Sequence, residues 1–271
     1  MVFSNPTKRY YDYTRTGWRP SPANEAQMLL VGHTNYITFE HSRHYMTSTK
    51  AVRALGYSHG KTAVQYWEEL TGRKQPQPPD PQGKANMAHG NYYEPEPQRL
   101  LCEAMQIRLK DEGLKLHPQH KWLGSHHDGR IVPTPMMSAW LDPKKRGFAE
   151  FKCVTKEPNL FFLRECPPWH LVQIMQEMEV FECDYCLYTR YYIPNTYNEE
   201  TNHLDVDPSY TATMHVNIVH RCQAVWDAMY NGLVQFAESV IENKEPPPEK
   251  VELPLHLVEV HHVQSYEYGY E

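Results

Sequence analysis

Phe148-Ala149-Glu150-Phe151-Lys152-Cys153-Val154 is short and apolar enough to form a buried β-strand, yet it carries two charges. Side chains two apart on a strand project from one face, so Glu150 and Lys152 are neighbours. Charges on a buried strand are costly unless they are paired or bound to a metal. Taken alone, the triplet is best read as an ordinary ion pair on a half-exposed edge strand. Asp128 shifts that balance, because it ends a strand-like run, is followed by Gly129, and lies a hairpin-length gap before Glu150. Two carboxylates and one amine then meet around one point. Carboxylates of this kind hold Mg²⁺ through oxygen, the ion lowers the pKa of a water, and Lys152 orients or deprotonates that water. Such chemistry hydrolyses phosphodiesters.

On either side of this strand the pattern alternates between sheet and helix. Extended segments are expected over Trp122 to Val132 and Met136 to Leu141, with a turn from Asp142 to Gly147 that has Lys144, Lys145 and Arg146 at its tip. Pro167 and Pro168 open a helix of about fourteen residues. Leu171, Ile174, Met175 and Met178 form its apolar face, and Gln173, Gln176 and Glu177 share the other side. A strand at Cys186 to Ile193, a polar loop at 194 to 209, a strand at Thr211 to Val219 and an amphipathic helix from Arg221 to Glu242 follow. Upstream, Ala51, Leu55, Val64, Trp67 and Leu70 suit two short helices around the Gly56 to Gly60 turn. Four prolines between Lys74 and Gly83 make a loop, and a helix is expected over roughly 95 to 108, which places Glu94 at its start. The sum is an α/β fold with a mixed central β-sheet flanked by helices. Three parts are expected: an N-terminal arm over 1–35, a catalytic domain over 36–245 and a C-terminal tail over 246–271.

Composition is that of a globular protein, with 40% hydrophobic and 22% charged residues. No stretch approaches the roughly 18 apolar residues of a membrane span, and the N-terminus has no signal-peptide core. The expectation is a soluble intracellular protein of the cytoplasm or nucleus of a host cell. Six cysteines in so long a chain do not make a disulfide framework. A net charge of −6 argues against holding nucleic acid by bulk electrostatics, so DNA binding would need a local basic channel together with metal ions.

Several motifs in order give a more specific resemblance. Trp122-Leu123-Gly124-Ser125-His126-His127-Asp128-Gly129 resembles a WLGASPDG-like segment, and Glu150-Phe151-Lys152-Cys153 an E-[ILF]-K-C motif. Met87 to Pro95 is similar to M-x-x-G-x-x-x-E-P, and Arg43 to Thr49 to an R-x-x-x-(x)-T-A-S motif before a Leu-Gly turn, here Leu55-Gly56. Together they resemble the YqaJ-type viral recombinase family, which includes lambda exonuclease, within the PD-(D/E)XK nucleases. The resemblance implies a restriction-endonuclease-like core and a Mg²⁺-dependent DNA exonuclease, with Mn²⁺ able to substitute and one or two ions bound. By the same resemblance, Glu94, Asp128, Glu150 and the Phe151 carbonyl would ligate metal, Lys152 and Gln173 would serve catalysis, and Arg43, Ser48 and Thr49 would bind a 5′-phosphate. Double-stranded DNA ends become the substrate, with a single-strand annealing protein and a homotrimer as candidate partners.

Departures from the motifs leave choices open. His126-His127 stand where the family has Ser-Pro, and Asp142, which closes Ser138-Ala139-Trp140-Leu141-Asp142, competes with Asp128 as metal ligand. An endonuclease or DNA/RNA nuclease of the same superfamily, or a non-catalytic binding or assembly protein on this fold, are the alternatives. Sixteen histidines invite a zinc site, but His126-His127 and His261-His262 have no partners at zinc-ligand spacing and are read as solvated. Cys183 and Cys186 make the chain's CxxC, too few thiolates for an iron–sulfur cluster.

Overall fold

The strand with two charges lies in the interior of the main sheet. In the computed structural model, the described residues are 45–137, 139, 141–155, 165–206, 211–243 and 245–269, with two short upstream strands, β1 (Met28–Leu29) and β2 (Tyr36–Ile37). The arm expected over 1–35 lies outside them apart from β1. There follow β3 (Met46–Thr47), α1 (Ser48–Ala54), α2 (Ala63–Leu70), α3 (Pro81–Tyr93), α4 (Pro95–Met105), β4 (Arg108–Lys110), β5 (Lys115–Leu116), β6 (Leu123–Ser125) and β7 (Gly129–Val132). The second half holds β8 (Gly147–Val154), α5 (Pro168–Phe181), β9 (Tyr185–Tyr192), β10 (Asn195–Asn198), β11 (His203–Val206), β12 (Thr211–His220), α6 (Gln223–Glu242) and β13 (Val260–Gly269).

Six strands form the main sheet in the order β13-β12-β9-β8-β7-β4. Within this sheet β8 and β9 run parallel, in register from Gly147 opposite Tyr185 to Val154 opposite Tyr192, and its other pairs are antiparallel. Parallel neighbours need a crossover, and α5 lies within it. A smaller sheet, β3-β6-β5, sits beside the main one. Gln176 of α5 ties it down, donating from Nε2 to the carbonyls of Met46 at 2.7 Å and Gly124 at 3.0 Å.

Alternation along the strands divides the core in two. Phe148, Cys186, Tyr188 and Val219 face a cluster built with α1, α2, α5 and α6. Ala149, Phe151, Leu187, Tyr191, Met214 and Val216 face the opposite cluster, which includes Leu100, Leu101 and Met105 of α4. By the same alternation Glu150 and Lys152 fall on the Phe148 side, under α5. The C-terminal segment crosses the α1–α2 turn at close range. Gly56 has φ +78°, and a Cβ there would lie 2.2 Å from the Glu249 carbonyl oxygen, so only glycine fits.

Four sequence readings need correction. Met136 to Leu141 is a turn rather than a strand in its described residues, with Met136 exposed. The 194–209 loop contains the β10–β11 hairpin. An unexpected helix, α3, precedes Glu94, started by Asp80, whose side chain accepts from Gly83 N at 2.6 Å, and by Pro81. Within the segment read as a tail, β13 pairs along β12 as the sheet's edge strand. No helix among the described residues is long and apolar enough to cross a membrane.

His215 sits at the β12–β13 seam, with its Nδ1 2.8 Å from Ser265 Oγ. Burial, then Arg190 and His262, push its imidazole down to about 4 from an ordinary 6.5. The folded state thus binds fewer protons than the unfolded chain between those values, so stability is intact above pH 6.5 and is lost as pH falls toward 4. That loss amounts to as much as about 3 kcal/mol. His215→Leu should flatten the fall in urea-unfolding stability between pH 7 and pH 4.5; an unchanged slope would count against this assignment.

Candidate active site

Glu150 is 2% exposed. Its Oε1 accepts from Lys152 Nζ at 2.5 Å and from Gln173 Nε2 at 2.6 Å, while Lys152 Nζ also reaches Gln173 Oε1 at 3.1 Å. Strand alternation supplies Glu150 and Lys152, and α5 lowers Gln173 onto them. One helical turn further on, Glu177 Oε1 accepts from Gln173 Nε2 at 3.0 Å and from Ser48 Oγ, at the start of α1, at 2.9 Å. A continuous polar chain thus runs Ser48–Glu177–Gln173–Glu150–Lys152.

Asp128 arrives from the opposite edge of β8. Where β7 ends its pairing with β8 at Gly129 and Ala149, the Phe151 N–H is free of the ladder and donates to Asp128 Oδ2 at 2.7 Å. The Phe151 carbonyl shares that edge, because a strand residue's N–H and C=O point the same way. Gly129 lets Asp128 sit there, since a Cβ at 129 would meet Leu109 Cβ at 2.9 Å. Glu94 joins from the junction of α3 and α4, with Gln98 Nε2 3.4 Å from its Oε1.

The electrostatics describe an acidic cluster short of positive charge. Burial, followed by the charges of Glu150 and Glu94, pushes Asp128 well above the usual carboxylate range. Burial and then Glu150 also raise Glu94, and burial and then Glu150 raise Glu177. Burial works against the Lys152 ammonium, yet Glu150 and Asp128 outweigh it and hold its pKa above the ordinary lysine value. Mutual repulsion fits the spacing, for Glu94, Asp128 and Glu150 do not close to within 4.8 Å of one another. Glu150 Oε2 is buried without a hydrogen-bond partner. A buried, unpartnered carboxylate oxygen with other carboxylates close enough to shift one another is what a divalent cation would satisfy, so these residues fit a hard, oxygen-ligated ion.

A family model for the YqaJ-like viral recombinase domain matches residues 39–184. The chain belongs to the YqaJ-like viral recombinase family. Comparison with curated proteins finds no match. Among solved structures, the chain is similar to an alkaline exonuclease from Laribacter hongkongensis, at 17% identity and TM-score 0.47 over 73% of this chain and 89% of that one. A complex of the same exonuclease with dAMP matches at 16% identity and TM-score 0.47, over 73% and 89%. A phage-related exonuclease from Haemophilus somnus 129PT matches at 10% identity and TM-score 0.43, over 72% and 91%.

Within this YqaJ-like domain, Glu94, Asp128, Glu150, Phe151, Lys152 and Gln173 converge around β8. Asp142 does not join them. It caps the turn before β8, accepting from Lys144 N at 2.9 Å, and is exposed. Of the three residues expected to bind phosphate, Ser48 is buried against Glu177, Thr49 is exposed, and Arg43 lies outside the described residues. His127, read as solvated, is 1% exposed between the rings of Phe148 and Phe181, and burial pushes its pKa down to about 4. In the family's Ser-Pro position it is a neutral packing residue. Glu177 is the residue that sequence reasoning passed over; its signal was the spacing of four from Gln173 on the polar side of α5.

The Ser48–Glu177 bond joins α1 to α5. A double-mutant cycle of Ser48→Ala and Glu177→Ala, read by urea unfolding, should give a coupling energy of about 1 kcal/mol. Strictly additive losses would mean that the two side chains do not meet in solution.

Proposed function

We propose that this chain is a metal-dependent nuclease that degrades one strand of duplex DNA from a 5′-phosphorylated end. The observation that carries this reading is Glu150, a buried carboxylate with one oxygen held by Lys152 and Gln173 and the other without a partner, beside Asp128 and Glu94. Glu94, Asp128, Glu150 and the Phe151 carbonyl would hold Mg²⁺, or Mn²⁺ in its place. Bound there, the ion would supply Lewis-acid activation of water and neutralise charge on the scissile phosphate.

The chain's own residues divide the remaining work. Phe151 N–H fixes the Asp128 carboxylate, so one oxygen is committed to the backbone and the other is left for the ion. Lys152 keeps its proton among the acids, which suits an ammonium that orients the attacking water and the phosphate rather than one that removes a proton. Gln173 fixes both Lys152 and Glu150 and so sets the direction of the ammonium. Ser48 gives its hydroxyl hydrogen to Glu177, so on this reading it anchors its segment to Gln173 and leaves direct contact with the phosphate to Arg43 and Thr49. On this reading the surviving strand passes to a single-strand annealing protein, and a homotrimer would encircle the duplex.

Purified protein with Mg²⁺ should shorten linear duplex DNA bearing 5′-phosphates and leave closed circles intact, with activity lost in EDTA and restored by Mn²⁺. Lys152→Ala and Glu150→Gln should each lower the rate by roughly 10²- to 10⁴-fold. Asp142→Ala should leave the rate unchanged. Full activity of Lys152→Ala, or hydrolysis in EDTA, would remove the proposed chemistry.

A further inference from the structure

A second group of ligand-type side chains lies where β12 ends and β13 begins. Val219 pairs with Val260 and Ile218 with His261, so His220 stands opposite Glu259, whose carbonyl accepts from His220 N at 3.0 Å. Directly opposed residues share a face, and Glu259 and His261, two apart, share it as well. Register therefore places two imidazoles and a carboxylate on one side of an edge pair. Their ligand atoms all lie within 4.8 Å of one another, the one such trio among the described residues. His261 Nε2 is 3.8 Å from Glu259 Oε2, and the two imidazole centroids are 5.7 Å apart.

We propose that His220, Glu259 and His261 bind a borderline divalent cation of the Zn²⁺ class, independently of the acidic cluster on β8, and so pin the edge strand β13 to β12. The donor set separates the two sites. Two imidazole nitrogens and one carboxylate suit Zn²⁺, whereas an all-oxygen cluster suits Mg²⁺ or Mn²⁺. Three protein ligands leave a fourth position for water, and a surface cleft of about 440 Å³ opens directly on His220 and Glu259.

Positive charge borders the same cleft at Lys145 and Arg221 and works against a cation. Arg221 is engaged by Glu179 and by Gln223 Oε1, and Asp184 adds a carboxylate to the cleft wall. Neither cation points the inference toward an anion instead, because Glu259 and Asp184 line that wall too. His261 and Glu259 are exposed, so replacing them removes ligands without opening the core.

The test uses the full chain stripped with EDTA, with Zn²⁺ alone and Mg²⁺ alone as probes. Native protein should bind a Zn²⁺ ion that the His220→Ala/His261→Ala variant does not, and 100 µM Zn²⁺ should raise the native Tm by about 3–8 °C. His261→Ala should weaken that binding at least tenfold, whereas Glu150→Gln should retain it and Mg²⁺ should produce no His261-dependent shift. Equal Zn²⁺ stoichiometry and equal Tm shifts in the native chain and the double variant would overturn the proposal, as would no Zn²⁺ binding at all. DNA cleavage does not enter these readouts, so their outcome is separate from that of the nuclease reading.

Discussion

A carboxylate in the interior of a sheet must be answered on every side, and the way Glu150 is answered organises this molecule. Lys152 comes from the same strand, Gln173 from the helix above, and Asp128 and Glu94 crowd the remaining edge. Desolvating one charge costs several kcal/mol unless partners return it, and a lone ammonium cannot balance three acids and a fourth at Glu177. The surplus of negative charge is thus a built property of the fold. Burial and that surplus together raise Asp128, Glu94 and Glu177.

The elements whose side chains obey one period were readable from sequence. β8 is a short, mostly apolar run, α5 and α6 keep an apolar face, and the strands at Tyr185 and Thr211 are rich in aromatic and β-branched residues, so local pattern and tertiary demand agree. Elements stabilised from outside were not readable. β13 is an edge strand with two Tyr and two His and none of its ten residues buried, and its pairing depends on the register of β12 rather than on any pattern of its own. α3 has no apolar stripe, burying only Ala85 and His89, so its helicity rests on its N-cap and on what it packs against. The β10–β11 hairpin is short, with Tyr197, Leu204 and Val206 on one face and Thr196, Asn198, His203 and Asp205 on the other, and it closes through Asn202 at φ +53°, a conformation that asparagine tolerates but that composition alone does not announce.

Side chains of the candidate site divide along a similar line. Spacing of two on a strand exposed Glu150 and Lys152, and motif order carried Glu94, Asp128 and Gln173. What separates Asp128 from Asp142 is a backbone amide, the Phe151 N–H released where β7 and β8 part company, and no one-dimensional pattern encodes it. Gln176 and Glu177 lie on the side of α5 opposite its apolar face, yet both are fully buried, one holding the small sheet and the other Ser48. A polar face on a helix is ambiguous in this way whenever a second layer of structure covers it.

The crossover that lets β8 and β9 run side by side is also the element that brings Gln173 and Glu177 down onto Glu150. Ser48 and Glu177, which close the same network, are 129 residues apart along the chain. Long-range parallel pairing is among the slowest events in the maturation of a domain, since loop entropy must be spent before the pairing rewards it. The reactive cluster therefore depends on the whole framework, since Ser48, Asp128, Glu150 and Glu177 reach it from separate parts of the chain. For a chain proposed to cut DNA, a molecule in which that framework is open lacks the assembled cluster.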